Sequence, residues 1–307
     1  NTGGITTEGF DVALGYNGQI GDDFSFSINA NLSAYRNNVD ELSSPDERLF
    51  GRTERIPAIT ITEAGAPLSS FYGFKVLGIF QTQAEADGWA EFGDYNAPGK
   101  FRFQDTDGDG EITSDDRTII GNPHPDFTYG INLDFTYKNL SLNIFGNGSQ
   151  GNDLFNYVRF FADFNTFQGN RSQRALSDAW QPTNPNAPRS EWVAANPNAA
   201  TPIMDADDAT SSQPSSYLIE DGSFFRIRNV QLTYTFPQDV LGDIGLSDLQ
   251  VYLQGQNLAT FTKYSGLNPE VNLRRTGDSN RNLTLGYDGG FNPVPAILSL
   301  GLNITLK

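Results

Sequence analysis

The sequence contains no cysteine and only one histidine, His124. The absence of cysteine excludes disulfides, thiolate metal sites and cysteine nucleophiles. Most catalytic triads and transition-metal clusters need histidine or cysteine, so a single histidine leaves little room for either. We interpret His124, which stands between two prolines in "GNPHPDF", as a loop residue rather than a ligand. The chain therefore has almost none of the residues on which those classes of site depend.

Positive charge is also scarce. The 307 residues include 20 Lys and Arg against 37 Asp and Glu, which gives a formal net charge of -17 at pH 7. Binding to nucleic acid needs clustered positive charge, and so does a polybasic contact with a membrane surface. This balance argues against a nucleic-acid partner and favours a metal ion, a cationic partner or a neutral ligand.

Long apolar runs are missing as well. No stretch approaches the roughly 20 residues that a transmembrane helix requires, and no signal peptide is recognisable. Because the chain starts at Asn1 rather than Met, we expect a processed chain or a piece of a longer protein. A membrane protein is still compatible with this sequence, since β-barrel strands are short and leave only a weak hydropathy signal.

Strict alternation of apolar and polar residues is present in four segments, namely 24–34, 127–138, 230–236 and 298–307. In 127–138 the apolar positions are Phe127, Tyr129, Ile131, Leu133, Phe135 and Tyr137. Their neighbours are mostly small or neutral polar residues. A period of two predicts β-strands with one apolar and one polar face.

Two folds produce such strands. A soluble β-sandwich shows the same alternation. A membrane barrel is favoured by strands of about ten residues and by aromatic residues at both ends of the apolar row in 127–138. It is also favoured by the small polar residues on the opposite face of these strands. We predict an all-β fold of antiparallel transmembrane β-barrel strands. The alternative is a secreted, calcium-stabilised β-sandwich that acts as a binding module.

The connections between strands are uneven in length. A tight hairpin is predicted through Lys138–Asn139, and long polar segments cover 36–70, 83–117, 161–216 and 263–294. Short turns on one rim and long extracellular loops on the other are typical of outer-membrane barrels. Two short helices are predicted within 82–92 and 171–180.

The stretch "DTDGDGEITSDD" at 105–116 has the ligand spacing of an EF-hand calcium loop, with Gly110 at the sixth position. Asp116 stands where an EF-hand prefers glutamate, and both flanks look extended rather than helical. We predict a structural calcium site between strands, with a solvated acidic turn and a catalytic carboxylate pair as alternatives. The predicted metal ligands are Asp105, Asp107, Asp109, Glu111, Thr113 and Asp116.

Four other stretches are noticeable. "MDADD" at 204–208 is interpreted as an acidic surface run, with a second cation site as the alternative. "FNYVRFFADFNTF" at 155–167 is interpreted as a strand end with packed aromatic residues, with a ligand platform or an aromatic girdle as alternatives. "EDGSFFRIRN" at 220–229 and "YSGLNPE" at 264–270 receive no chemical assignment. No glycine-rich phosphate loop follows a strand, so a nucleotide cofactor is not expected.

The order of several motifs resembles the C-terminal third of SusC/RagA-family TonB-dependent outer-membrane transporters. The matching segments are "LSSFYGFKVLGIFQTQAEAD" (68–87), "APGKFRFQDTDGDGEITSDDRTIIGNPHPDFTYGINLDFTYKNLSL" (97–142), "GSQGNDLFN" (148–156), "AWQPTNPNAPR" (179–189), "SSYLIEDGSFFRIRNVQLTYTFP" (215–237), "LQVYLQGQNLATFTKYSGLNPEV" (249–271) and "LSLGLNITL" (298–306).

This resemblance implies a plugged barrel of about 22 strands, of which residues 1–307 supply roughly the last nine or ten. It implies an outer-membrane location and contact with lipid. It also implies TonB-dependent import of an oligosaccharide or peptide, a SusD-like lipoprotein as a lid, and no enzymatic activity. The plug domain and the TonB box are expected to lie outside this chain. The substrate and the residues that bind it are not specified by the sequence.

Overall fold

In the computed structural model, the described residues are 3–51, 55–93, 95–164, 169–206, 208–241, 245–271 and 281–306. Among these residues, no helix is long and apolar enough to cross a membrane. The strands are β1 Gly3–Ile20, β2 Phe24–Leu42, β3 Leu49–Phe50, β4 Thr60–Thr62, β5 Ser70–Gly73, β6 Val76–Ile79, β7 Phe101–Phe103, β8 Thr118–Gly121, β9 Phe127–Tyr137, β10 Leu140–Gln150, β11 Asp153–Asn156, β12 Ile219–Asp221, β13 Phe224–Thr235, β14 Leu246–Thr262, β15 Tyr287–Asp288 and β16 Ile297–Leu306.

The helices are few and short. The α-helices are α1 Gln83–Asp87, α2 Tyr157–Ala162, α3 Gln173–Ser177 and α4 Gln238–Leu241. Single 3-10 turns lie at Ser114–Asp116, Arg189–Glu191, Ser216–Leu218 and Arg281–Leu283. The two predicted helices are present as α1 and α3, but each is shorter than its segment. The helix α2 was not predicted, and it forms inside the aromatic stretch 155–167.

Seven long strands form one antiparallel sheet in the order β1-β2-β9-β10-β13-β14-β16, which we call the wall sheet. The strands reach 19 residues in β2, well beyond the usual length of about five or six residues in soluble proteins. The expectation of nine or ten strands is wrong for the described residues, which supply seven. The remaining strands are short and lie in the connections between the long ones.

The register of the wall sheet aligns the apolar rows of all seven strands. Leu133 of β9 pairs with Ile28 of β2 and Ile144 of β10, and Leu253 of β14 pairs with Leu300 of β16. This apolar face is uncovered, since Leu298 and Leu300 remain 76% and 77% exposed. A β-sandwich would bury such a face under a second sheet. The prediction of barrel-type strands is therefore confirmed, and the sandwich alternative is wrong.

Aromatic side chains form two bands on the apolar face. Near the short turns, Phe24 stacks on Phe135 with ring centroids 6.5 Å apart. Near the long connections, Tyr129 stacks on Phe225 at 5.9 Å, passing over Gly148 of the intervening strand. A Cβ at Gly148 would lie 2.6 Å from the Tyr129 ring, so glycine is required there. Two aromatic bands with aliphatic residues between them are the arrangement of a membrane-spanning barrel wall.

The connections at the two rims of the wall sheet differ in length, as predicted. One rim carries the turns 21–23, 138–139 and 236–245. The other carries the connections 43–126, 151–223 and 263–296, which together we call the loop layer.

The buried core lies in the loop layer rather than in the wall sheet. Its members are mostly aromatic side chains from distant parts of the chain, including Phe71, Phe74, Phe101, Phe103, Phe155, Phe160, Phe164, Trp180 and Leu218. These contacts give the long connections a fixed packing of their own. The sequence predicted long polar loops, and their shared apolar core is a correction to that interpretation.

Candidate functional site: the polar sheet face and the acidic loop

The polar face of the wall sheet carries a continuous chain of side-chain hydrogen bonds across four strands. Asn143 of β10 donates to Asp134 of β9 at 2.7 Å. Asn229 of β13 donates to Asn143 at 3.1 Å, and Gln254 of β14 donates to Asn229 at 2.7 Å. Amide side chains have both donors and acceptors, so this row can satisfy itself and also bind polar groups of a passing solute. Asn132 and Asp134 alternate with the apolar residues that the sequence analysis identified in 127–138, and the register places both on this polar face.

The acidic loop brings three of the predicted metal ligands together. One carboxylate oxygen from each of Asp105, Asp107 and Asp109 lies within 4.8 Å of the others. The loop is shaped by its own backbone, because Asp105 accepts from the amides of Gly108 and Gly110 at 2.7 and 3.0 Å. Gly110 has φ +89°, a conformation that favours glycine. Three convergent carboxylates are a donor set suited to a hard cation such as calcium.

The other predicted ligands take different positions. Asp116 is fully buried, and its two oxygens accept from the amides of Thr106 at 2.6 Å and Thr113 at 2.8 Å. Thr113 caps the short 3-10 turn by accepting from the amide of Asp115. The side chain of Glu111 is exposed, which is compatible with a position that supplies its backbone carbonyl. In this structure Asp116 therefore closes the loop through backbone hydrogen bonds.

Residues outside the acidic stretch anchor it to the loop layer. Ile112 is buried in the aromatic core, and its amide donates to the carbonyl of Glu91 at 2.7 Å. The Glu91 amide in turn donates to the carbonyl of Gly110 at 2.8 Å. The flanking strands β7 and β8 are extended, as the sequence predicted. The link to Glu91 carries no recognisable sequence signal.

Charge repulsion within the loop affects Asp107. A hydrogen bond from the Asp109 backbone lowers its pKa, but desolvation and the neighbouring carboxylates of Asp109, Asp116 and Asp105 outweigh it, so the pKa of Asp107 lies above its ordinary value. Raised proton affinity is the expected result when like charges converge without a counter-ion. A bound cation relieves the same repulsion.

A second charged cluster stabilises the loop layer, and no sequence motif marks it. The carboxylate of Asp163 is fully buried and accepts from Arg159 at 3.0 Å and from Arg174 at 2.9 Å. Ser172 and Tyr217 also donate to it, at 2.5 and 2.8 Å. Burial raises the pKa of Asp163, but these hydrogen bonds and the Arg159 charge bring it below its ordinary value. The cluster joins α2, α3 and the segment before β12.

Three further interpretations are decided by the structure. His124 lies in a loop with Nε2 2.8 Å from the carbonyl oxygen of Leu68, as expected of a loop residue. In 204–208, Asp208 is only 4% exposed, and its Oδ1 lies 3.8 Å from Nζ of buried Lys100. The interpretation as an acidic surface run is therefore wrong for Asp208. Asp207 lies outside the described residues. In 155–167, the described aromatic side chains belong to the loop-layer core, which confirms packed aromatics.

No family model matches the chain. Similar proteins nevertheless align over almost its whole length. It is 32% identical to TonB-dependent receptor P3 of Formosa agariphila over 313 residues, covering 99% of this chain and 29% of the receptor. It is 25% identical to TonB-dependent receptor SusC of Bacteroides thetaiotaomicron over 321 residues, covering 100% of this chain and 27% of that receptor.

A solved structure of the RagAB peptide transporter superposes with a TM-score of 0.72 at 23% identity, covering 100% of this chain and 30% of that one. The chain is similar over its whole length to a C-terminal portion of SusC/RagA-type TonB-dependent receptors. It spans less than a third of the length of these SusC/RagA relatives. The relatives are receptors and a transporter, which are not enzymes, and this supports the expectation of a protein without catalytic activity.

Proposed function

We propose that this chain forms part of the wall of an outer-membrane importer of the SusC/RagA type. The observation that carries the proposal is the two-sided wall sheet. Its apolar face, banded by aromatic residues, suits lipid, and its amide-lined face suits a wet lumen. The similarity to TonB-dependent receptors supports energy supply through TonB. A plug domain and a TonB box would then belong to the rest of the protein.

The imported molecule is an oligosaccharide or a peptide in this proposal. The structural neighbour RagAB is a peptide transporter, and the amide chain on the polar face suits hydroxyl groups and peptide bonds equally. The loop layer would face the cell exterior, where a SusD-like lipoprotein would close the mouth of the barrel. The fixed packing of the loop layer would provide a firm surface for that lid.

Uptake in the native bacterium tests this function. Deleting the receptor gene should abolish uptake of a labelled oligosaccharide or peptide pool, and an uncoupler that collapses the proton gradient should do the same. Uptake that continues in the presence of the uncoupler would indicate passive diffusion and contradict TonB dependence. Copurification of a surface lipoprotein with the receptor tests the lid.

We further propose that the acidic loop holds a structural calcium ion. Asp105, Asp107 and Asp109 would supply side-chain ligands and Glu111 its backbone carbonyl, with Thr113 and Asp116 completing the site. The support is the 4.8 Å convergence of three carboxylates in a loop with EF-hand spacing. Because the loop is exposed and Asp116 is committed to backbone amides, affinity in the range of extracellular modules, about 10⁻⁴–10⁻³ M, is expected.

Replacing Asp109 by alanine should weaken calcium binding at least about tenfold, because it removes one of three convergent carboxylates. Isothermal titration of the complete receptor with calcium in detergent measures the change. Asp115→Ala is the matched control, since it removes an equal charge from the same stretch outside the cluster. Absence of calcium binding by the wild-type receptor at millimolar calcium would contradict the site, as would equal losses in both variants.

A further inference from the structure

The motifs at 220–229 and 264–270 meet on the polar face of the wall sheet. A β-bulge in β13 lies between Ile227 and Asn229, where the pairing with β10 and β14 shifts. The extra residue is Arg228. Because of the bulge, Arg228 and Asn229 both reach the polar face, where they contact Asn147 and Asn143. Bulges commonly redirect a side chain next to a functional site.

Arg226 and Arg228 share a single carboxylate. Both guanidinium groups donate to Glu270, which lies in the connection that follows β14. Arg226 also donates to Thr260 at 2.7 Å and to Asn268 at 2.8 Å, and Arg228 donates to Asn147 at 2.5 Å. The two arginines are therefore held in fixed positions, which lowers the entropic cost of binding a further group.

The charges in this cluster do not balance. Two guanidinium groups face one carboxylate, which leaves one net positive charge in a chain of net charge -17. Arg226 is buried, but the side chain of Arg228 is 24% exposed. In the described part of the chain, the Nη1 nitrogen of Arg228 has no hydrogen-bond partner. Arg228 therefore has both the charge and free donors for an incoming anion.

An open hollow of about 490 Å³ lies directly against this pair. Arg228 and Glu270 are the only charged residues among the described ones that line it. Four polar and three aromatic residues line much of the remainder, namely Asn31, Thr128, Asn147 and Ser149, and Tyr129, Phe145 and Phe224. Hydroxyl and amide groups around a cation can hold the neutral parts of a polar oligomer while the cation binds its charged group.

We propose that this hollow is a binding site on the inner wall for a carboxylate group of the imported oligomer, with Arg228 as the contacting residue. The proposal rests on the import function proposed above and narrows its substrate class to acidic oligomers. The carboxylate would come from a sugar acid or from an acidic peptide. In the structure the carboxylate of Glu270 accepts hydrogen bonds from both arginines, so it competes with such a ligand.

Titration calorimetry on the complete receptor in detergent at low salt tests this site. The probes are an oligogalacturonate and its methyl ester, and a short glutamate-containing peptide and its amidated form. The wild-type receptor should prefer the free acid of one pair. Arg228→Gln should weaken the affinity for that acid by about tenfold and leave the affinity for its neutral counterpart unchanged. Glu270→Gln should strengthen binding of the acid, because it removes the competing carboxylate.

The control is Arg48→Gln, which removes an exposed arginine of the loop layer. If the cluster only tethers the connection after β14, Arg228→Gln and Glu270→Gln should weaken acid and neutral probes alike, and this overturns the proposal. Equal affinity of the wild type for acid and neutral forms, or binding of neither, overturns it too. In each of these cases, TonB-dependent uptake of a neutral oligomer would still be observed. Failure of the carboxylate-binding site can therefore be distinguished from failure of the import function.

Discussion

Replacing Asp163 by alanine should open the loop layer, at a cost of about 3–5 kcal/mol in its local free energy of unfolding. Asp163 is the shared acceptor of Arg159, Arg174, Ser172 and Tyr217. Without it, Arg159 keeps only Glu220, at 3.3 Å, as an ionic partner among the described residues, although its side chain is 12% exposed. Removing the main carboxylate partner of a nearly buried guanidinium is far more costly than removing a surface ion pair.

Hydrogen exchange of loop-layer amides in the complete receptor measures this effect. Protection should fall around Trp180 and Leu218, which are both buried in the loop-layer core. Arg48→Ala provides the control, because its ion pair with Glu63 lies at the surface and should contribute about 0–1 kcal/mol. Unchanged protection in Asp163→Ala would show that the cluster does not hold the loop layer together.

The same carboxylate predicts a pH dependence. The folded pKa of Asp163 lies below its ordinary value, whereas in the unfolded chain it should be near 3.9. Its contribution is therefore complete above about pH 4 and is lost as the pH falls through the lower folded value. Wild-type loop-layer protection should decrease in that acidic range, and Asp163→Asn should lack this step.

Replacing Leu133 by arginine should destabilise the folded receptor in a bilayer by about 2–4 kcal/mol. Leu133 lies in the middle of the apolar row of β9, between Ile28 and Ile144 and between the two aromatic bands. An arginine at this depth on the lipid face must be desolvated or distort the bilayer. Denaturant unfolding of the receptor reconstituted in lipid vesicles measures the loss.

The neighbouring residue supplies the matched control. Asn132→Arg introduces the same side chain one position away, on the polar face of the same strand. It should leave stability within about 1 kcal/mol, because a lumenal charge stays hydrated. Equal losses for Leu133→Arg and Asn132→Arg would mean that β9 has no lipid-facing side.

How much of the wall sheet could be predicted from sequence depends on the regularity of each strand. The strand β9 was predicted almost to its ends, since large apolar residues alternate with polar ones throughout. In β13 only 230–236 was recognised, because the bulge at Arg228 shifts the phase of the alternation. The strand β1 was not among the alternating segments, since Ala13 and Gly15 stand at polar positions of its inner face and weaken the alternation of apolar and polar residues.

The candidate sites divide in the same way. The acidic loop is recognisable because its ligands are local in sequence, at fixed spacing around Gly110. The carboxylates of Asp163 and Glu270 accept hydrogen bonds from residues up to 54 and 44 positions away, so no local pattern marks these clusters. The loop-layer core is also nonlocal, as the contact between Phe71 and Phe155 shows. Tertiary packing determined these features, and the sequence alone did not reveal them.

The central claim is that the wall sheet has one face in lipid and one in water. Spin labels placed singly at positions 133 and 134 of the reconstituted receptor test it most directly. The label at 133 should collide with lipid-soluble oxygen and be shielded from a water-soluble nickel chelate, and the label at 134 should show the reverse. Identical accessibility at the two positions, or the opposite pattern, would contradict the barrel wall.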